Sequence, residues 1–271
     1  MSETSGLAII GGGKIGEAML SGLLRGYRQP ADIVVVEHYP DRGRQLAERY
    51  GVRVVPVAEA VRASRTILIA VKPQDIDALL LELADLVTDD HLIVSVAAGV
   101  PTGRIERALP GRPAVVRCMP NTPAVVDEAM TAVSAGAQAD EAHLALAEEL
   151  LSAVGKVVRV PESQLDAVTA LSGSGPAYFF FLVEAMIDAG ILLGLPRALA
   201  EQLIVQTLLG SAVMLRDSGE HPVRLREAVT SPAGTTIAAI RELERHGVRA
   251  AFLSAIEAAS RRSAELGRST D

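Results

Sequence analysis

A glycine-rich segment near the start of the chain has the spacing of a phosphate-binding loop. It reads AIIGGGKIGEAM and spans Ala8 to Met19. A loop for a nucleoside triphosphate requires Ser or Thr after its lysine, whereas Lys14 is followed by Ile15. The pattern G-x-G-x-x-G, which holds a dinucleotide pyrophosphate at a helix N-terminus, fits Gly11, Gly13 and Gly16. We therefore expect these glycines, with Lys14 and Ile15 between them, to contact a dinucleotide.

An acidic residue ends the predicted second strand. Glu37 lies about twenty residues beyond Gly16, the distance at which an acid accepts hydrogen bonds from the adenosine ribose. A carboxylate there repels a 2′-phosphate and so favours NADH. Arg42 and Arg44 could hold that phosphate instead, but a solvated helix face is the interpretation we favour for both. The predicted cofactor is NADPH or NADH, with a lean towards NADH or use of both.

Three further turns follow predicted strands and read AVKP, VAAGV and RCMPNTP. Small residues let a cofactor approach the backbone closely. Lys72 could reach a ribose hydroxyl or phosphate, and the Asn121 amide could donate to the nicotinamide carboxamide. The cofactor contacts predicted in these turns are Ala70, Val71, Lys72, Pro73, Ala97, Ala98, Gly99 and Asn121.

Two stretches in the second half of the chain are unlike ordinary helix connections. They read LSGSGPAY, from Leu171, and VTSPAGTTIAAIRELE, from Val229. In the second stretch, the N–H groups of a helix that begins near Gly234, Thr235 and Thr236 form a site for a carboxylate. A junction between two helices, capped by one of the threonines, explains the same residues. Spacing alone leaves both interpretations open.

The elements around these motifs alternate short β-branched runs with helical patterns. The predicted strands are Leu7–Ile10, Ile33–Glu37, Val52–Val55, Ile67–Val71, Leu92–Val96, Ala114–Cys118, Met130–Ser134 and Lys156–Val160. Helical spacing lies between most of them, as in Gln74–Leu86 and Glu141–Val154. This order predicts an α/β fold of the doubly wound Rossmann type, with a parallel sheet covered on both faces. Strand signals end near Pro161, so we expect a dinucleotide-binding domain over 1–161 and an all-helical domain over 162–271.

One predicted helix, Ala177–Leu195, is apolar nearly all round. Glu184 and Asp188 would be costly at the centre of a bilayer, so burial between subunits explains the segment better than a membrane span. We therefore expect a homodimer formed through the helical domain.

The amino-acid composition argues against several classes of partner and site. The net charge of −7 and the 3% of aromatic residues disfavour nucleic acid as a partner. Cys118 is the single cysteine, which excludes an intrachain disulfide and fits a reducing cytoplasm. Glu3 and the lack of a basic N-terminal region disfavour a signal peptide. The five histidines have no metal-ligand or triad spacing, so no metal is expected.

The motifs together resemble the pyrroline-5-carboxylate reductase family of proline biosynthesis. The resemblance covers nearly the whole chain, and LDAVTALSGSGPAY and LREAVTSPAGTTIAAIRELE are its most specific parts. It implies reduction of L-Δ1-pyrroline-5-carboxylate to L-proline by NADPH or NADH. It also implies a Rossmann domain followed by a helical domain that interleaves in a dimer, sometimes assembled into decamers.

The resemblance also assigns residues. It implies a substrate loop through Ser231, Gly234, Thr235 and Thr236, in which the Thr236 hydroxyl bonds the ring nitrogen. Ser231 and Thr236 are the predicted catalytic residues. Glu162, Ser174, Gly234, Thr235 and Thr236 are the predicted substrate contacts.

Three features depart from the family pattern. Ala233 replaces a usual glycine, and Ala228 stands where some relatives have an asparagine. EHYPDR lacks the residues typical of NADPH-preferring relatives. Two alternatives stay open: a β-hydroxyacid-type dehydrogenase and a non-catalytic nicotinamide-dinucleotide sensor. The dehydrogenase usually needs a lysine base in the helical domain, and no lysine follows Lys156.

Overall fold

The computed structural model describes residues 6–26 and 28–268. Glu3, used above to disfavour a signal peptide, lies outside the described residues. The contacts divide the chain into two compact units. One runs to Ser174 and resumes at Ala259, and the other extends from Gly175 to Ala258.

The first unit is built on one eight-stranded sheet of order β3-β2-β1-β4-β5-β6-β7-β8. Its strands are β1 Leu7–Ile10, β2 Ile33–Val36, β3 Arg53–Val54, β4 Thr66–Ile69, β5 Leu92–Ser95, β6 Ala114–Met119, β7 Ala129–Ala135 and β8 Gly155–Arg159. All eight predicted strands are confirmed, with ends that shift by a residue or two. The predicted Rossmann-type α/β fold is thereby confirmed as well.

The sheet is not wholly parallel, which corrects one expectation. The strands β1 to β6 are parallel, but β7 pairs antiparallel with β6, and β8 runs parallel to β7. The connection between β6 and β7 holds only a 3₁₀ turn, Thr122–Val126. A parallel pairing would need a longer crossover, usually a helix, so this short link reverses the strand direction.

Seven helices belong wholly to the first unit. They are α1 Lys14–Gly26, α2 Pro40–Tyr50, α3 Val57–Ala63, α4 Ile76–Leu83, α5 Thr102–Ala108, α6 Glu141–Leu151 and α7 Leu165–Val168. Successive side chains of β1 point to opposite faces of the sheet, which shows where these helices pack. Leu7 and Ile9 join a core with α1, α2 and α6 on one face. Ala8 and Ile10 join a second core with α3, α4 and α5 on the other face. The sheet is therefore covered on both sides, as predicted.

The second unit contains α8 Gly175–Leu192, α9 Arg197–Ser218, α10 Pro222–Ala228 and α11 Thr235–Arg245. The last helix, α12 Val248–Arg268, begins in this unit and ends in the first. Only Gly175 and Ala200 are buried among the described residues of α8 to α11. Phe180, Phe181 and Leu192 are 67%, 74% and 88% exposed in the single chain. Two helical segments, Glu162–Leu192 and Arg197–Ser218, meet the length and hydropathy of a membrane span.

The contacts group residues 162–174 with the first unit, and the domain boundary after residue 161 stays a prediction. Residues from Glu162 to Ser174 belong to the first unit because their side chains and carbonyls bond to it. Glu162 accepts hydrogen bonds from Thr102, and the carbonyl of Ser172 accepts one from Asn121. The end of α12 belongs there too, through a hydrogen bond from Ser263 to Asp166.

Candidate functional site

The three glycines of the predicted dinucleotide loop have three different structural roles. Gly11 has φ 106°, and a Cβ there would lie 2.7 Å from the Ala70 carbonyl oxygen. A Cβ on Gly16 would lie 1.9 Å from the Gly11 carbonyl oxygen. No described atom lies within 4 Å of a Cβ built on Gly13. Gly11 and Gly16 are therefore required for the tight approach of β1, β4 and α1, while Gly13 leaves open the space that a pyrophosphate needs.

The peptide of Gly12 is held from both sides. Its N–H donates to Glu37 Oε2 at 2.8 Å, and its carbonyl accepts from Arg42 Nε at 2.9 Å. The other carboxylate oxygen of Glu37 accepts from the backbone N–H of Tyr39 at 2.9 Å. Two backbone donors thus fix the Glu37 carboxylate at the carboxyl end of β2. Sequence reasoning gave Gly12 no role, although three consecutive glycines were visible.

Arg42 corrects the expectation that both arginines lie on a solvated face. It is half-buried, and besides Gly12 it pairs with the Glu17 carboxylate. Glu17 also accepts from Tyr50 Oη at 2.9 Å and from Arg49 at 3.1 Å. Burial raises the pKa of Glu17, but the bonds from Arg42 and Tyr50 outweigh it and hold the pKa below its usual value. Arg44 is exposed and pairs with Asp41, as predicted for a solvated face.

The remaining predicted cofactor residues follow β4, β5 and β6, whose parallel arrangement brings their carboxyl ends to one edge of the sheet. Lys14, Lys72, Pro73 and Ala98 are exposed there. Ala70 and Gly99 are half-buried, and Ala97 is buried. Ile15 and Val71 pack against the two cores and therefore offer the cofactor mainly their backbones. Crevices at this edge are where open α/β sheets bind ligands.

Both polar atoms of the Asn121 side-chain amide form hydrogen bonds within the protein. Its Nδ2 donates to the carbonyl of Ser172 at 3.1 Å, and its Oδ1 accepts from the N–H of Met130 at 3.0 Å. These bonds tie the turn after β6 to the start of β7 and to the segment before Ser174. Asn121 is thus a structural residue here, and its contact with a nicotinamide carboxamide stays a prediction.

Glu162 lies in a polar cluster of the first unit. Its oxygens accept from the N–H and hydroxyl of Thr102 at 2.8 and 2.6 Å and from Arg117 at 3.1 Å. Burial raises the pKa of Glu162, but the Thr102 bonds and the Arg117 guanidinium outweigh it, so the pKa lies below the usual value. The carboxylate is ionised at neutral pH and anchors the start of α5. Its predicted contact with substrate is not tested by these bonds.

Ser174 closes the LSGSG motif. The motif forms a π-helical turn, Thr169–Gly173, and the N–H of Ser174 donates to the Thr169 carbonyl at 2.8 Å. Single π turns interrupt helices frequently at functional sites. Ser174 is half-buried, and its predicted contact with substrate remains a prediction.

The predicted substrate loop lies in the second unit. Ala233 has φ 57°, so this alanine adopts the left-handed conformation that favours glycine. Gly234 precedes α11, donates its N–H to the Ser231 carbonyl at 3.1 Å, and leaves room for Ser231 Oγ, which a Cβ would meet at 2.4 Å. Gly234, the N-cap residue of α11, has no side chain with which to cap the helix. Thr235 is exposed and Thr236 half-buried at its first turn, so backbone donors face an open end.

Among residues 6–26 and 28–268, no group of three or more His, Cys, Asp or Glu side chains is arranged to hold a metal ion. The first unit thus carries a dinucleotide loop, and the second unit carries the open N-terminus of α11.

Comparison with known proteins identifies the family. A model described as pyrroline-5-carboxylate reductase dimerisation matches residues 162–266, and one described as NADP oxidoreductase, coenzyme F420-dependent, matches residues 6–99. The pyrroline-5-carboxylate reductase of Mycobacterium tuberculosis is 46% identical over 96% of this chain and 96% of its own. The chain belongs to the pyrroline-5-carboxylate reductase family. The enzyme of that name from Synechocystis is also 46% identical, over 97% of this chain and 98% of its own.

Solved structures of the family agree with this fold. A pyrroline-5-carboxylate reductase from Coxiella burnetii superimposes with a TM-score of 0.92 at 37% identity, over 97% of this chain and 99% of its own. The Plasmodium falciparum enzyme, solved with NADP bound, gives 0.88 at 25% identity, over 98% and 99%. The family's dimerisation domain explains the exposed apolar faces of α8 and α9, and the protein is a homo-oligomer.

Proposed function

We propose that this protein reduces L-Δ1-pyrroline-5-carboxylate to L-proline with a nicotinamide dinucleotide as hydride donor, the last step of proline biosynthesis. The observation that carries the proposal is the similarity to reductases of this name over nearly the full length of both chains. The two alternatives have less support. The dehydrogenase lacks its lysine, and a sensor that bound only the cofactor would have no use for the open N-terminus of α11.

The residues of the first unit fit the dinucleotide. The open space at Gly13 suits the pyrophosphate, and Glu37 is fixed where the adenosine ribose hydroxyls are recognised. The bound nicotinamide supplies the hydride. We assign its side of the site to Ala70–Pro73 and Ala97–Gly99, where little side-chain bulk follows β4 and β5.

The second unit supplies the anchor for the substrate. The first-turn N–H groups of α11 carry the partial positive charge that a carboxylate seeks. Binding the carboxylate there orients the C=N bond, and catalysis is then largely a matter of orientation. The Thr236 hydroxyl donates a hydrogen bond to the ring nitrogen as its charge changes. Ser231, packed against Gly234, keeps the loop in shape.

The structure favours NADH over NADPH. Backbone donors hold Glu37 in place, so its charge would meet a 2′-phosphate directly. Arg42 is committed to Gly12 and Glu17, and Arg44 pairs with Asp41. We expect Glu37→Ser to raise the ratio of kcat/KM for NADPH to that for NADH by about tenfold or more, equivalent to about 1.4 kcal/mol. An unchanged ratio would remove Glu37 from cofactor selection.

The family resemblance also suggests a decamer built from five dimers and a cytoplasmic enzyme. The single buried cysteine suits a reducing compartment. Light scattering of the purified protein gives the size of the assembly, and a dimer mass at working concentrations would exclude the decamer.

Turnover is the direct test. Purified protein is incubated with pyrroline-5-carboxylate and NADH or NADPH, and proline is measured as product. Thr236→Val should lower kcat by about 10²-fold while NADH binding is retained, because only the hydroxyl is lost. The neighbouring Thr235→Val, which keeps its backbone N–H, is the matched control. Folded wild-type protein that binds NADH but forms no proline would favour the sensor.

A further inference from the structure

The end of the last helix lies against the loop that follows β5. Gly99 in that loop has φ 71°, and a Cβ on it would lie 3.6 Å from Leu266 Cβ and 3.9 Å from the Gly267 nitrogen. Seen from the other side, a Cβ on Gly267 would lie 3.7 Å from the Gly99 carbonyl oxygen. A methyl group would just fit between the two segments, so the end of α12 and the loop after β5 are close neighbours. We call residues Ser263 to Gly267 the C-terminal turn.

A partly buried hydrogen bond fixes the C-terminal turn in this place. Ser263 is 6% exposed, and its hydroxyl donates to Asp166 Oδ1 at 2.6 Å. Asp166 belongs to α7, and 97 positions of sequence separate the two residues. A buried hydroxyl bonded to a carboxylate specifies one position for α12, because a slip of the helix would leave both groups unpaired.

The segment that contains Asp166 holds the same loop at its other end. Glu162 accepts from the N–H and the hydroxyl of Thr102, three positions beyond Gly99. The contacts therefore form a closed circuit: Gly99 to the C-terminal turn, Ser263 to Asp166, and Glu162 to Thr102. All of these residues belong to the first unit. The loop is thus held at two points by elements distant in sequence.

We infer that the C-terminal turn is a positioning element that holds the Ala97–Gly99 loop in the shape the nicotinamide half of the cofactor requires. The inference rests on the proposed function, which assigns this loop to the nicotinamide side. Ser263 and Asp166 act through the loop and touch no reacting atom. Gly99 has φ 71°, which is one of several backbone conformations open to glycine, so without the circuit the loop can adopt others.

The test separates the two halves of the cofactor. NADH contains the nicotinamide, whereas ADP-ribose keeps the adenosine and pyrophosphate and lacks it. Ser263→Ala should weaken NADH binding about fivefold, the size of one lost hydrogen bond, and leave ADP-ribose binding within twofold of wild type. Calorimetric titration of the full-length protein measures both, and the KM for NADH should rise with kcat unchanged.

Variants of Asp166, which accepts the hydrogen bond from Ser263, keep the test decisive if Ser263→Ala folds poorly. Asp166→Ala should reproduce the loss, and Asp166→Asn, which retains an acceptor oxygen, should restore NADH binding. The double variant Ser263→Ala with Asp166→Ala should be no worse than either single one. Ser254→Ala, an exposed serine on the same helix, is the matched control.

Two outcomes overturn the inference. One is a Ser263→Ala protein with a lowered melting temperature and unchanged NADH affinity, which makes the bond merely structural. The other is an equal loss for NADH and ADP-ribose, which places the effect outside the nicotinamide half. If the wild type binds NADH but does not reduce pyrroline-5-carboxylate, the proposed function fails while the two binding measurements still decide this inference.

Discussion

Alanine at Gly13 and at Gly16 should have opposite consequences, although the two residues share one loop. A Cβ on Gly16 would lie 1.9 Å from the Gly11 carbonyl oxygen, against 3.4–4 Å for an ordinary contact. The end of β1 and the start of α1 must therefore separate by roughly 1.5 Å, in a close-packed region that resists such movement. Overpacking of this kind costs about 3 kcal/mol, and the better helix propensity of alanine returns at most about 1 kcal/mol. We expect a net loss of about 2 kcal/mol.

Gly13→Ala should leave folding nearly unchanged, within about 0.5 kcal/mol, because no described atom lies within 4 Å of the new methyl group. The methyl group would occupy the space assigned to the pyrophosphate. We expect NADH binding to weaken by at least about tenfold, or about 1.4 kcal/mol.

Urea unfolding at one fixed protein concentration measures the first effect, and titration with NADH fluorescence measures the second. The fixed concentration matters because dimer stability depends on it. Gly103→Ala, where the new Cβ would meet only a flexible arginine at 3.5 Å, controls for the substitution itself. Wild-type NADH affinity in Gly13→Ala, or wild-type stability in Gly16→Ala, would refute the roles assigned to these glycines.

Three further predictions follow from contacts described above. Glu162→Gln should destabilise the fold at neutral pH by about 2 kcal/mol, since the neutral amide leaves the charge of the buried Arg117 uncompensated. The folded-state pKa of Glu162 lies below the usual value of a glutamate, so this contribution is present above that usual value and is lost as pH falls through the folded pKa. Urea unfolding should show the gap to wild type closing in acid, and a constant gap would contradict the assignment. Phe180→Asp should shift the dimer towards monomer by about 10³-fold, because it removes two apolar anchors worth about 2 kcal/mol each. Sedimentation measures this, with Leu81→Asp on α4 as an equally exposed control. Arg42→Met should weaken NADH binding about fivefold through the freed Gly12 carbonyl, whereas Arg44→Met should not; calorimetry showing equal effects would refute the distinction.

Local patterns made most of the fold predictable. The eight strands are β-branched runs of readable length, and the glycine spacing located the turn between β1 and α1. The antiparallel direction of β7 was accessible too, because Pro120 to Glu128 lacks the length and periodicity of a crossover helix. The prediction of a wholly parallel sheet assumed that β7 continues the alternating pattern of the earlier strands.

Long-range partners were beyond the sequence. Nothing around Arg42 indicates that its guanidinium folds back on Gly12 instead of facing solvent. The same holds for Ser263, a serine near the end of a helix, whose partner lies in α7. Such pairings arise from how elements pack, and a single sequence contains no local signal for them.

Because α12 returns to the first unit, that unit is completed only at the end of synthesis of the polypeptide. A ribosome releases the strands and α1 to α7 first, then the dimerisation helices, and only afterwards the C-terminal turn that rests on Gly99. A nascent chain can therefore form its sheet early, while the Ala97–Gly99 loop is not yet held by the C-terminal turn. The loop is secured only once every helix needed for pairing with a second subunit has been made. Full affinity for NADH thus arrives last, together with competence for assembly, and chains truncated before α12 would lack both.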